Sequence, residues 1–112
     1  MNETSTIGSL QDAAVKVLFS KGVQLESPVL FLSDAIIVNK EYSSVAVSRL
    51  MALPQLLTEA KQLFWDPKSE LLIYVLEKDV VQFSMNEITG TFGVSKIVRK
   101  KDWQSDGLEL IQ

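Results

Sequence analysis

The stretch that decides the fold runs from residue 71 to residue 95 and reads LLIYVLEKDVVQFSMNEITGTFGVS. Its first part, Leu71–Leu76, is a near-continuous apolar run, which is typical of a strand covered on both faces. The charged turn Glu77–Asp79 separates this run from Val80–Met85, which we predict to be the returning arm of a hairpin. From residue 88 onward the chain alternates with a period of two, so a third strand follows and continues to about residue 98. This stretch predicts a three-strand antiparallel meander, with a bulge or bend at Gly90 or Gly93.

Two helices are predicted on the N-terminal side of the meander. The first spans Ser9–Lys21, because Ser9 and the aspartate three residues later form a Ser-x-x-Asp helix start and the apolar residues then recur at helical spacing. Gly22 is suited to the left-handed position just after its end. The second helix begins at Pro54 and ends near Trp65, because the following aspartate and proline form a turn.

The segment between the helices is apolar and rich in β-branched residues. Val29–Leu32 and Ala35–Val38 are either one long strand or two short ones, and Tyr42–Met51 fits both a strand and a helix. We therefore predict an α+β fold with an antiparallel sheet of about five strands and two main helices on one face. The predicted order is helix, strands, helix, three-strand meander, in one compact domain over residues 1–112. Whether residues 1–8 and 104–112 are mobile ends is left open, since Leu108–Ile111 can also pair at a sheet edge.

The composition excludes several kinds of chemistry. The 112 residues include no cysteine and no histidine. Disulfides, thiolate metal sites and the Cys-His and Ser-His-Asp mechanisms are therefore excluded. Carboxylates that lie close together in the sequence are found in turns, where solvated charges normally occur: Asp66, Glu70, Glu77 and Asp79. We predict a protein that is not an enzyme and that has no cofactor and no metal site.

The apolar share is high for so short a chain. Hydrophobic residues make up 46% and charged residues 22%, while a chain of this size buries only about two-thirds of the surface that its unfolded form exposes. Apolar surface is thus left over for a partner, and we predict a homodimer. No apolar stretch reaches the roughly 18 residues of a membrane span, and the N-terminus lacks the basic region of a secretory signal. We expect a cytoplasmic protein with no membrane association.

A basic segment follows the third strand. It contains four of the eleven basic residues, so the rest of the chain holds 7 basic against 14 acidic residues, a net charge of −7. A polyanion would be attracted to the segment and repelled by the rest, whereas a protein with a local acidic patch would meet only the attraction. We therefore expect a protein partner and no nucleic acid. The candidate protein-contact residues are Lys96, Arg99, Lys100, Lys101 and Trp103, together with Trp65, which is either an interface residue or a lid on the core.

Two functions are compatible with these observations. The first is a homodimeric, non-catalytic protein-binding module of the adaptor, chaperone or immunity type, which acts by occupying a partner's surface. The element order loosely resembles that of roadblock-type domains, secretion chaperones and toxin-immunity proteins, a likeness of fold that carries no function. The alternative is a small-ligand-binding domain with an apolar pocket between sheet and helices, lined by Phe31, Tyr74, Phe83 and Phe92.

Overall fold

The computed structural model describes residues 4–33 and 52–111. These residues form an α+β fold in which a seven-stranded mixed sheet is combined with two α-helices. The strands lie across the sheet in the order β1-β2-β6-β5-β4-β3-β7. The elements in chain order are β1 (Thr4–Ser9), α1 (Asp12–Ser20), β2 (Val29–Ser33), α2 (Leu53–Thr58), β3 (Gln62–Asp66), β4 (Leu71–Val75), β5 (Asp79–Asn86), β6 (Thr91–Arg99), a 3₁₀ turn (Lys100–Asp102) and β7 (Glu109–Leu110).

The predicted meander is confirmed. Strand β4 pairs antiparallel with β5, and β5 pairs antiparallel with β6. The third strand starts later than the alternation predicts, because the Oδ1 atom of Asn86 accepts hydrogen bonds from the backbone N–H groups of Ile88 and Thr89 and shapes a turn there. Gly90 completes this turn at a φ of +68°, and its N–H donates to the Asn86 carbonyl over 2.7 Å.

A bulge or bend was predicted at Gly90 or Gly93. Gly90 lies in the turn before β6, and the bulge itself lies at neither glycine. Gln82 is opposite Lys96 and the next residue of β5 is opposite Val94, so Ser95 is the extra residue of β6. Its hydroxyl donates a hydrogen bond to the Gln82 carbonyl over 3.2 Å. A serine that bonds the partner strand occupies the bulge without the special backbone freedom of glycine.

The sheet is larger than predicted and not wholly antiparallel. Strand β2 pairs with the last strand of the meander and lies parallel to it, with Leu30 opposite Phe92. The prediction of about five antiparallel strands is therefore correct only in part. The strand expected at 29–32 is present as β2, but β1 and β3 were not predicted. Strand β1 was not predicted, because its sequence is mostly Thr and Ser, with Ile7 as its one large apolar residue.

Helix α1 is shorter than predicted. Ser9 lies in β1 opposite Val29 and does not cap the helix. Gln11 is the residue that precedes the helix, with extended backbone and no side-chain cap. The end of the helix is as predicted in one respect, since Gly22 adopts the left-handed conformation with a φ of +81°.

The predicted second helix is correct in its first half and wrong in its second. Helix α2 ends at Thr58, and the segment expected to continue it to Trp65 is strand β3. Leu63 and Trp65 are buried in the main core, whereas Phe64 packs on the opposite face of the sheet. This period of two suits a strand between two apolar layers. The predicted segments 35–38 and 42–51 lie outside the described residues.

The sheet is covered on its main face and, over β3 to β5, on its second face. Its main face packs against both helices, since the buried Ala14 and Leu18 of α1 and Leu53 and Leu57 of α2 belong to one cluster with the strands. Its second face holds a smaller buried cluster, which is covered by the segment after β6 and consists of Ile73, Val75 and Val80 with Trp103 and Leu108 packed against it. This segment crosses to the far edge, where β7 pairs with β3. No helix among the described residues is long and apolar enough to cross a membrane.

Candidate interaction surfaces

One end of the sheet carries exposed basic side chains, which we call the basic end: Lys78, Arg99, Lys100 and Lys101. The β4–β5 turn and the segment after β6 meet there, because Arg99 is opposite Asp79 in the β5–β6 ladder. The Lys100 N–H then donates to the Lys78 carbonyl over 2.9 Å. The four side chains surround, together with Glu77, an open depression of about 460 Å³. The β4–β5 turn and the end of β6 therefore place four cations around one depression.

The structure gathers only part of the basic segment predicted from sequence. Arg99, Lys100 and Lys101 come together at the basic end, whereas Lys96 is exposed farther along β6, opposite Gln82. Lys78 was missed, because it lies far from the basic run in the sequence. The hairpin register supplied the signal that would have found it, since the turn between β4 and β5 must lie beside the end of β6.

Neither tryptophan lines the depression at the basic end. Trp65 is 5% exposed in the main core and lies edge-on to Phe92, with ring centroids 6.4 Å apart. Trp103 is half-buried on the second face, where its ring is tilted against Phe64 at a centroid distance of 5.8 Å. Both indoles thus pack against phenylalanine rings of the sheet.

The opposite end of the sheet is acidic. A crevice of about 1090 Å³ lies between the loop after α1, the β3–β4 turn and the β5–β6 turn, and its carboxylates are Glu26, Glu70, Glu87 and Glu109. Lys21 also lines the crevice and forms an ion pair with Glu109. The crevice was not predicted from the sequence, because its acidic residues come from four separate segments. The sheet is therefore basic at one end and acidic at the other.

Glu26 is held at this crevice by a close backbone approach. Its N–H donates to the Gly90 carbonyl over 2.8 Å. A Cβ atom on Gly90 would lie 2.2 Å from the Cγ atom of Glu26. Glycine is therefore needed at position 90 both for its positive φ and for this contact.

The residues predicted to line a ligand pocket do not line one cavity in the described structure. Tyr74, Phe83 and Phe92 are buried in the main core, and the rings of Tyr74 and Phe83 lie 5.4 Å apart. Phe31 is opposite Gly93 and lines, with that glycine, an open groove of about 510 Å³. Tyr74 borders a separate groove of about 280 Å³ beside α2. Burial raises the pKa of the Tyr74 phenol to about 12, as expected for a group whose charged form loses water.

The four carboxylates considered as catalytic or metal-binding candidates do not come together in the structure. Glu77 and Asp79 lie at the basic end, while Asp66 and Glu70 lie at the β3–β4 turn, where Asp66 accepts hydrogen bonds from the Lys68 and Ser69 N–H groups. Within residues 4–33 and 52–111, no group of three acidic residues could hold a metal ion.

Comparisons with protein-family models, with curated proteins and with solved structures found no match to this chain.

Proposed function

We propose that this protein is a non-catalytic, homodimeric protein-binding module of the cytoplasm, which acts by occupying the surface of an acidic partner protein. The observation that carries this proposal is the basic end. Lys78, Lys100 and Lys101 form no ion pair with another described residue, so their charges act outward. Exposed charges of one sign steer a partner of the opposite sign and raise its rate of association.

A protein partner is favoured over nucleic acid by two features. The acidic crevice at the other end of the sheet repels an extended polyanion, and the whole chain has a net charge of −3. Trp103, the aromatic residue nearest to the basic run in the sequence, packs against Phe64, whereas a single-strand-binding site uses aromatic rings that are free to stack on bases. A compact acidic patch on a protein can bind the basic end without reaching the acidic crevice, and it needs no free aromatic ring.

The alternative, a small-ligand-binding domain, is supported by one feature. The groove of about 280 Å³ beside Tyr74 is bordered by Leu57 and Leu63 and approaches the lower end of the usual size of small-molecule pockets, about 300 Å³. Its test is a thermal-shift screen across a metabolite panel. A ligand that raises Tm in the wild type and fails to do so in a Leu57→Trp variant that still folds would favour this function.

The protein-binding proposal is tested by removing the charges of the basic end. The variant carries Gln at Lys78, Arg99, Lys100 and Lys101, and the probes are a short glutamate-rich peptide and mixed-sequence single-stranded DNA of the same charge. We expect the wild type to bind the peptide more tightly than the DNA at ~150 mM salt, and the variant to bind the peptide more weakly and with a smaller salt dependence. Stability should change by no more than about 0.5 kcal/mol, because the side chains are exposed.

A matched control compares Gln at Lys100 and Lys101 with Gln at Lys16 and Lys68, two exposed charges that lie away from the basic end. The variant at Lys16 and Lys68 should keep most of the peptide binding. Equal losses in the two variants would mean that net charge alone attracts the peptide. Tight, salt-sensitive binding of the wild type to the DNA, abolished in the basic-end variant, would identify a nucleic-acid site instead.

A further inference from the structure

Among the described strands, the two that form the edges of the sheet differ in length and in charge. Strand β7 at one edge has two residues, one of which is Glu109 in an ion pair with Lys21. Strand β1 at the other edge has six residues, TSTIGS, with no charge and no proline. Edge strands are usually protected by shortness, charge, proline or a β-bulge, because their free backbone groups can pair with another chain. Strand β1 has a bulge at Ile7 but lacks the shortness and the charge of β7.

The outer side of β1 is open to a partner among the described residues. Strand β1 pairs with β2, and no backbone hydrogen bond joins it to a described residue beyond β2. Helix α2 contacts the face of the strand rather than its edge, since a Cβ atom on Gly8 would meet the Cδ1 atom of Leu57 at 3.9 Å. The strand does contain one irregularity, an extra residue at Ile7. The residues on both sides of Ile7 keep their pairing with β2.

The charge distribution indicates what pairs with this edge. Thr4 lies opposite Ser33 towards the basic end, and Ser9 lies opposite Val29 towards the acidic end. Antiparallel pairing of β1 with β1 of a second copy reverses one sheet relative to the other, so each basic end lies on the same side as the partner's acidic end. Parallel pairing would align like charges. Two identical strands related by a two-fold axis are also self-complementary.

We infer that two copies of the chain join through antiparallel pairing of their β1 strands, so that the two seven-stranded sheets become one continuous sheet. The contact is a backbone ladder, to which the exposed side chains of Thr6 and Ser9 add cross-strand hydrogen bonds. This inference specifies the homodimer within the proposed function and leaves the basic end of each copy accessible for the partner protein.

Thr6 is the position at which the inference is tested. Its side chain is exposed, and it lies near the middle of β1, opposite Phe31. In a two-fold antiparallel pair, the two copies of residue 6 lie close to the axis and so to each other. Like charges at facing positions of paired strands are destabilising, and opposite charges are favourable.

The experiment measures mass by sedimentation for the wild type, Thr6→Lys, Thr6→Glu and an equimolar mixture of the two variants. We expect the wild type near twice 12.5 kDa at micromolar concentration, each variant alone shifted towards the monomer, and the mixture restored to the dimer. Thr89→Lys, an equal change at an exposed turn position, should leave the dimer unchanged. Circular dichroism of each variant separates loss of pairing from loss of folding.

Hydrogen exchange of the wild type gives a second readout that needs no substitution. Amides of β1 should exchange more slowly as protein concentration rises, and amides of β7 should not. A monomeric wild type overturns the inference, as does a dimer that is unaffected by both Thr6 substitutions. A monomer would also remove the homodimer from the proposed function, whereas a dimer unaffected at Thr6 overturns this inference alone. The peptide binding of the basic end is measured independently of both.

Discussion

The two faces of the sheet are buried in different ways. The main face is covered by helices α1 and α2 and holds large side chains such as Phe83 and Phe92, both 0% exposed. The second face is covered over β3, β4 and β5 by an irregular segment that contributes Trp103 and Leu108. The two described helices thus cover one face of the sheet. The C-terminal segment crosses the other face and buries it over β3 to β5 without a helix.

Removing a phenylalanine from each face should give the largest and most direct contrast. Phe83→Ala empties a fully buried site, and we expect a loss of about 3–5 kcal/mol in the free energy of unfolding. Phe64→Ala, the same change at a half-buried position on the second face, should cost about 1–2 kcal/mol, because solvent and the covering segment can fill the space. Chemical denaturation measures both. Equal losses would show that the second face is packed as tightly as the main one.

Raising the pH should weaken the main face selectively through Tyr74. Burial raises the folded-state pKa of this phenol to about 12 from the ordinary value of 10.0. The folded state thus holds its proton more tightly than the unfolded state, so stability is fully present below pH 10 and is lost as the pH rises towards 12. The loss amounts to about 2–3 kcal/mol.

The Tyr74→Phe variant isolates this effect from the titration of lysines. Its ring can keep the contact with Phe83, and its unfolding free energy should fall less than that of the wild type over the same pH range. Denaturant titrations at several pH values provide the comparison. If the two proteins lose stability in parallel, Tyr74 ionises as easily in the folded chain as in the unfolded one.

Loosening the covering segment should give the smallest effect and the most local one. Trp103→Ala removes the ring that packs on Phe64, and we expect a loss of about 1–2 kcal/mol, because the indole is only half-buried. The Ile111 N–H, which donates to the Leu63 carbonyl over 2.7 Å, should then exchange with solvent faster. Trp103→Phe should restore part of the protection. Unchanged exchange at Ile111 in the alanine variant would show that β7 is held without the tryptophan.

The boundary between α2 and β3 was predicted wrongly, because the sequence there fits both a helix and a strand. Leu57, Ala60 and Phe64 lie at helical spacing, but Leu63, Phe64 and Trp65 also alternate between two faces. Both patterns are present in one short segment, and local periodicity does not choose between them. Pairing with β4 selects the strand, because β4 pairs with β3 along its length and its residues face two apolar layers.

The interaction surfaces were predictable only where their residues are close in sequence. Arg99, Lys100 and Lys101 follow one another in the sequence and were predicted to share one basic surface. All three line the depression at the basic end. Lys78 joins them through the β5–β6 register, and the acidic crevice collects Glu26, Glu70, Glu87 and Glu109 from separate turns. Which turns share an end of the sheet depends on strand order, which composition and spacing do not contain.

The sequence by itself determined the meander of β4, β5 and β6, because an apolar run, a charged turn and strict alternation are local signals that act within a few residues. It also determined the absence of cysteine and histidine chemistry. Only the tertiary structure decided that β2 pairs parallel with β6, that Gln62–Asp66 is a strand and that the C-terminal segment covers the second face. The pairing of β2 with β6 and the covering of the second face connect residues far apart in the chain, and the strand at Gln62–Asp66 depends on having an apolar layer on each side.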